Sequence, residues 1–288
     1  MDLAPLRSAV LSWFGPRRDA YAWRRGPRSP YRTLVSEVML QQTQAARVEP
    51  IFERFIARFP DVGALAEASR ADVLRSWAGL GYNRRAVALH EAARAIAHDH
   101  GGRVPRDRDT LLRLPGVGPY TAAAVASIGF GEPAAAVDTN VRRIIARVVH
   151  GVEPDEVPPD RLARDAQSWL DPSGPGEWNQ ALMDLGRVLC RPAPRCAACP
   201  LEPHCRFRAA GRTARPSGRR QSPFQGSARQ VRGAVVAALR TQPSATAEAL
   251  ADRTGHPARA IATATESLLR DGILERARSG RFRRLAVR

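Results

Sequence analysis

Residues 114–140, LPGVGPYTAAAVASIGFGEPAAAVDTN, constrain the fold more than any other part of this chain. Pro115-Gly116-Val117-Gly118 interrupts helix-forming sequence on both sides, at 107–114 and 119–128, which reads as a helix–hairpin–helix. Glycine takes positive φ without a Cβ penalty, so two glycines let a hairpin turn backbone N–H groups outward. N–H groups at a helix N-terminus form an anion site. Twenty residues beyond Gly118 one acid, Asp138, stands between an apolar run and Asn140. The stretch reads as a phosphate grip through Gly116, Val117 and Gly118 with a carboxylate carried behind it.

The charge balance narrows the source of that phosphate. The chain holds 45 basic side chains against 28 acidic ones, a net +17, and every basic one is Arg. Arg is always ionised and suits bidentate phosphate contact, which points to nucleic acid, with a membrane surface as the minor alternative. A GC-rich genome would explain Arg in place of Lys, but not the excess. No apolar run approaches the ~20 residues of a membrane span. The N-terminus has an acid at position 2 and no small-residue cleavage pattern. A cytoplasmic, nucleoid-associated monomer with no membrane contact is the expectation.

Up to about residue 210 no strand pattern of any length occurs, so this part reads as all-α. Helices are predicted over 3–14, over 36–59 in two pieces broken near Pro50, and over 64–68, 70–78, 84–99, 140–149, 160–170 and 176–190. From 206 to 232 come eight Arg and no acid, a basic linker. Beyond it 231–240, 245–253 and 257–270 read as short helices. Residues 273–276 and 282–285 then flank a Ser279-Gly280 turn, a hairpin pattern. Three helices and a basic hairpin make a small winged-helix-like unit, either a DNA-binding module or a structural appendage.

Cys190, Cys196, Cys199 and Cys205 are the only cysteines, spaced C-x5-C-x2-C-x5-C. They need a loop wrapped round a compact ion or cluster, which suits tetrahedral zinc or [4Fe–4S]. Structural zinc usually has two close Cys pairs and this sequence has one, so the cluster is favoured, bracing a loop that carries Arg191, Arg195 and Arg206. Asp138 has a plainer reading as the N-cap of a helix starting at Asn140. Glu37, in SEVMLQQTQ, reads equally as a first-turn acid after Ser36, and Tyr120 as a core residue.

Taken together, SEVMLQQTQ (36–44), GLGY (79–82), LPGVGPYTA (114–122), VDTNVRR (137–143) and the cysteine quartet resemble the MutY-type adenine glycosylases of the helix–hairpin–helix DNA glycosylase superfamily. The resemblance covers roughly residues 1–210. It implies a mainly α, two-lobed fold: an iron–sulfur lobe from 1–22 and 133–210, and a six-helix lobe from 23–132. A basic linker at 211–230 and a winged-helix-like domain at 231–288 complete the expectation, in place of the larger Nudix-like domain usual in the family. The implied activity is removal of adenine opposite 8-oxoguanine or guanine in double-stranded DNA.

Adenine leaves poorly, so an acid must protonate its N7 as the glycosidic bond breaks, and the resemblance gives that role to Glu37 with a pKa raised by burial. The oxocarbenium-like sugar needs a carboxylate, a role it gives to Asp138. Tyr120 and Asn140 resemble the residues that hold the two carboxylates in register. Gln42 and Tyr82 resemble residues that enter the base stack, and Trp23, Arg24 and Gln180 resemble those lining the adenine pocket. Lyase relatives place a Schiff-base Lys where this chain has Tyr120, and a chain without Lys forms no side-chain imine, so a monofunctional enzyme is implied. The competing readings are a glycosylase for T or U opposite G and a non-catalytic iron–sulfur DNA-binding regulator.

Overall fold

A computed structural model describes residues 3–214, 223–241, 244–277 and 282–284, with the side chains of 282–284 undescribed. The chain divides into two compact units, Met1–Gln41 with Val104–Gly218, and Gln42–Arg103 with Arg219–Arg288. No helix among the described residues is long and apolar enough to cross a membrane.

The first unit holds α1 (Ala4–Phe14), α2 (Pro30–Leu40), α7 (Arg108–Leu112), α8 (Pro119–Ala124), α9 (Thr139–Ile145), α10 (Pro159–Trp169), α11 (Pro175–Val188) and α12 (Arg206–Ala209). Helical spacing puts Leu6, Val10 and Phe14 on one face of α1, where they meet Ile144, Ile145, Leu162, Trp178 and Leu182 in a closed core. Each such side chain contributes about 1.5–3 kcal/mol on burial. Both α8 and α9 end in a π-helical turn, Val125–Gly129 and Ala146–His150. Gly186 on α11 fits tightly: a Cβ there would stand 2.5 Å from the Asn140 Cβ. Its missing side chain is what lets α11 approach the start of α9.

The second unit holds α3 (Ala45–Arg58), α4 (Val62–Glu67), α5 (Arg70–Ser76) and α6 (Arg84–Asp99), followed by the C-terminal module. Phe55 packs edge-on against Phe59 and Trp77, with ring centroids 4.9 and 6.0 Å apart. The module contains α13 (Ala228–Thr241), α14 (Ala247–Thr254) and α15 (Ala258–Arg270), around Val235, Leu239, Leu250, Ile261 and Leu268. Strands β1 (Ser244–Ala245), β2 (Leu274–Arg276) and β3 (Phe282–Arg284) form an antiparallel sheet in the order β1-β3-β2. This is the winged-helix arrangement expected. Strand β1 escaped prediction because two residues become a strand only through pairing with β3. The Ser279-Gly280 turn lies outside the described residues.

Two predicted helix boundaries are corrected. The break within 36–59 falls at Gln41–Gln44, not at Pro50, which sits inside α3. Gln42 has φ 55, and that turn separates α2 from α3. Pro50 lies in the second turn of α3, where the missing N–H and the ring do not end the helix. Glu37 is not a first-turn acid. Ser29 caps α2, its side chain accepting from the Arg32 N–H, so Glu37 falls in the last turns, where carbonyl ends disfavour a carboxylate.

Candidate active site

The first unit brings four of the singled-out residues together. Glu37, near the end of α2, is buried, and the Tyr120 hydroxyl from α8 donates to its Oε2 at 2.6 Å. The same hydroxyl lies 3.5 Å from the Met183 Sδ on α11. Burial pushes the Glu37 carboxyl up to about 7, against lowering by the Tyr120 hydrogen bond and the Arg24 charge, while Asp138 adds to the rise. The Tyr120 hydroxyl is likewise held well above its ordinary value, by burial and then by the Glu37 charge. Tyr120 packs against the Ala123, Ala124 and Ala136 cluster, as its core reading has it, and is at the same time a neutral donor to Glu37.

Asp138 is the N-cap of α9, and it is more than that. Its Oδ1 accepts from the Asn140 and Val141 N–H groups at 2.9 and 2.7 Å. Among the described residues its Oδ2 takes only the Asn140 Nδ2, at 2.8 Å. One oxygen thus fixes the helix start, while the second keeps lone-pair capacity beside the Glu37–Tyr120 pair. Burial raises the Asp138 pKa, and the Val141 and Asn140 donors pull it back toward the carboxylate. Burial raises both neighbouring carboxyls, but their partners differ: Glu37 accepts from the Tyr120 hydroxyl, whereas Asp138 is supplied with three donors that favour its ionised form.

Arg143 was missed by sequence reasoning beyond its place in VDTNVRR. Lying three residues after Asn140 on the same helix face, its Nη2 donates to the Asn140 Oδ1 at 2.8 Å and to the Gly186 carbonyl at 2.8 Å. Its Nε donates to the Cys190 carbonyl at 2.5 Å. One guanidinium therefore joins the Asp138–Asn140 cap to the first residue of the cysteine loop.

Trp23, Arg24 and Gln180 line one cavity with ≈ 800 Å³ of empty space, together with Arg18, Arg28 and Thr33. Thr33 is one turn before Glu37 on α2. Trp23 stacks on Tyr21 with centroids 4.6 Å apart. Arg24 is held by Asp184 through Nη1–Oδ2 at 2.7 Å and Nη2–Oδ1 at 3.2 Å, and its buried Nε has no partner among the described residues.

In the hairpin, Gly116 takes φ 74, whereas Gly118 is extended at φ −92. The Val117 N–H is spent on the Leu114 carbonyl at 3.1 Å, so Val117 offers no backbone donor to an anion. No partner for the Gly116 or Gly118 N–H is found among the described residues.

Gln42 and Tyr82 belong to the second unit and share a signature no sequence pattern carries. They are the non-glycine residues with positive φ among the described residues, at 55 and 46°. Such strain persists where the surroundings impose it, often at functional turns. Tyr82 is also 44% exposed, unusual for an aromatic. Arg85 ties the two turns together: its Nη2 donates to the Thr43 Oγ1 at 3.0 Å and the Gly81 carbonyl at 3.3 Å, and its guanidinium lies 5.4 Å from the Tyr82 ring centre.

The four cysteines line one cavity, walled otherwise mainly by side chains such as Ile144, Val148, Leu201 and Phe207. Among the described residues no three or more Cys, His, Asp or Glu are grouped as ligands of a single ion. Burial pushes the Cys199 thiol up to about 12 and raises Cys190 and Cys205 as well. Four soft donors round an apolar cavity, three of them disfavoured as thiolates by burial, fit a group that brings metal charge with it. Arg147, buried and paired with Glu153 at 2.9 Å, also donates to the Arg191 carbonyl and so fixes the loop's first turn. Arg191, Arg195 and Arg206 are exposed around it.

The HhH-GPD superfamily of base excision DNA repair proteins matches residues 35–172, the span from just before Glu37 to the end of α10. Among curated proteins, an adenine DNA glycosylase of Mycolicibacterium smegmatis is 43% identical over 98% of this chain and 96% of its own. That of Mycobacterium tuberculosis is 42% identical over 95% and 91%, and the human one 41% identical over 72% and 40%. A solved thermostable thymine-DNA glycosylase aligns with TM-score 0.64 at 31% identity, covering 71% of this chain and 95% of that one. A non-covalent endonuclease III–DNA complex aligns at TM-score 0.60 and 24% identity, a likeness of fold. The chain belongs to the HhH-GPD superfamily and, within it, to the MutY-type adenine DNA glycosylases.

Proposed function

We propose that this chain removes adenine mispaired with 8-oxoguanine or guanine from duplex DNA, and that it does so without strand cleavage. The observation that carries the reading is the pair of neighbouring buried carboxyls with different partners, Glu37 raised to about 7 under the Tyr120 hydroxyl and Asp138 held by three donors. Glu37 gives its proton to adenine N7, and the glycosidic electron pair leaves with the base. Asp138 stabilises the cationic sugar until water adds. Tyr120 stays protonated and orients Glu37. Extrusion of the base costs a few kcal/mol, offset by the phosphate grip at Gly116 and Gly118 and by Gln42 and Tyr82 at the gap. With no Lys in the chain, an imine from a side chain is excluded.

The test is single-turnover base release on duplexes carrying A:8-oxoG, A:G, T:G or U:G, with alkali revealing abasic sites. The two adenine duplexes are expected to react and the pyrimidine ones not, with no strand break before alkali. Faster release of T or U would replace the reading by the competing mismatch specificity. No release from any of the four would favour the regulator.

Cys190, Cys196, Cys199 and Cys205 would hold a [4Fe–4S] cluster, which supplies a structural brace for residues 190–205 when bound. About four iron atoms per chain are expected, with loss of iron and lower thermal stability in Cys199→Ser. Zinc without iron would overturn the assignment.

A further inference from the structure

Arg24 and Asp184 form an ion pair that the reading above leaves without a task. Their side chains are 8% and 5% exposed, and the contact is two-pronged, at 2.7 and 3.2 Å. The guanidinium also lies 5.4 Å from the Phe14 ring centre and 5.2 Å from that of Tyr21. Asp184 follows Met183 on α11, the residue whose sulfur touches the Tyr120 hydroxyl, so one turn of α11 reaches both Glu37's hydrogen-bond partner and Arg24.

A guanidinium carries its charge at every working pH. Set against the wall of a base pocket, it favours the ionised form of any nearby carboxyl and so works against an acid that must hold its proton. A second carboxylate on the guanidinium converts a bare cation into a compact ion pair whose field falls off steeply. We propose that Asp184 is a positioning residue of the base pocket, which holds and neutralises Arg24 so that Glu37 keeps its proton beside a permanent cation. The inference rests on the reading of Glu37 as the acid.

The groups facing Glu37 are Tyr120 from α8, Asp138 from the cap of α9 and Arg24 from the turn at Ala22–Arg24. Met183 is the neutral contribution of α11. Arg143 faces Asp138 through Asn140. Arg187 also reaches the Asp184 Oδ1, at 3.2 Å, but its side chain is 47% exposed, so solvent and salt screen it.

The test is the pH profile of single-turnover adenine release. In the native chain the rate is expected to fall above about pH 7, as Glu37 ionises. In Asp184→Asn the falling limb is expected to move down by about one pH unit, so the deficit grows by roughly an order of magnitude between about pH 5.5 and pH 8. Asp184→Glu restores the native limb. The double variant Arg24→Met/Asp184→Asn, with both charges gone, returns the limb to about pH 7 or above whatever its absolute rate. A deficit equal at every pH, or a native profile in Asp184→Asn, would overturn the proposal in favour of simple packing. If Asp184→Asn does not fold, the double variant decides, and a limb below the native position overturns the idea. A native profile with no falling limb overturns the acid reading of Glu37 itself, and this inference with it.

Discussion

Asp138→Asn is expected to reduce adenine release by about a hundred- to a thousandfold, the scale associated with losing a group aimed at transition-state charge. Fold and DNA affinity should survive. Asn caps helices about as well as Asp, and the Oδ1 that accepts the Asn140 and Val141 N–H groups has its equivalent in the amide carbonyl. What disappears is the negative charge on the second oxygen, whose one described partner is the Asn140 amide. Affinity for a mispaired duplex should stay within about tenfold, roughly 1.4 kcal/mol. A substitution that removed only a cap would show the reverse, lower melting temperature with chemistry intact. Single-turnover release and a melting curve on the same preparation separate the two, and full activity in the variant would remove Asp138 from the mechanism.

The capping role and the chemical role of Asp138 were alternatives in the sequence; the structure shows the cap and leaves the second oxygen available for the proposed role. The cap was legible because it depends on an Asp two and three residues before free N–H groups. The second role depends on Tyr120 and Glu37 arriving from α8 and α2, a long-range fact that local pattern cannot hold. Gly116 was legible for the same local reason as the cap, since a φ of 74 demands glycine. The inward turn of the Val117 N–H was not legible, because nothing in PGVG says which N–H meets the Leu114 carbonyl. The strained turns at Gln42 and Tyr82 were invisible as backbone, since neither residue type prefers positive φ; only the resemblance singled them out. Arg143 and Asp184 were invisible for another reason. In a chain with 45 Arg, no single Arg stands out until its hydrogen bonds are seen, and an Asp on a helix reads as a surface residue until an Arg buries it.

Glu37→Gln is expected to cost about a hundred- to ten-thousandfold in adenine release below pH 7, the range of a lost general acid, and to make the protein more stable above it. The stability effect follows from burial. The Glu37 carboxyl titrates at about 7 in the folded chain against an ordinary 4.5, so the folded state binds its proton more tightly than the unfolded one. Stability from this group is fully present below about pH 4.5 and is lost progressively as pH rises to about 7, remaining lost above. The gap amounts to about 3 kcal/mol. Gln is neutral throughout and its carbonyl can still accept from the Tyr120 hydroxyl, so the variant escapes the loss. Denaturation curves at about pH 5 and pH 8 should therefore nearly coincide with the native chain at the lower pH and separate at the higher, with the inactive variant the more stable. Equal stability at both pH values would mean that Glu37 titrates in the folded chain as it does in water. It could then hold no proton for adenine at neutral pH, and the acid would have to be sought elsewhere in the pocket.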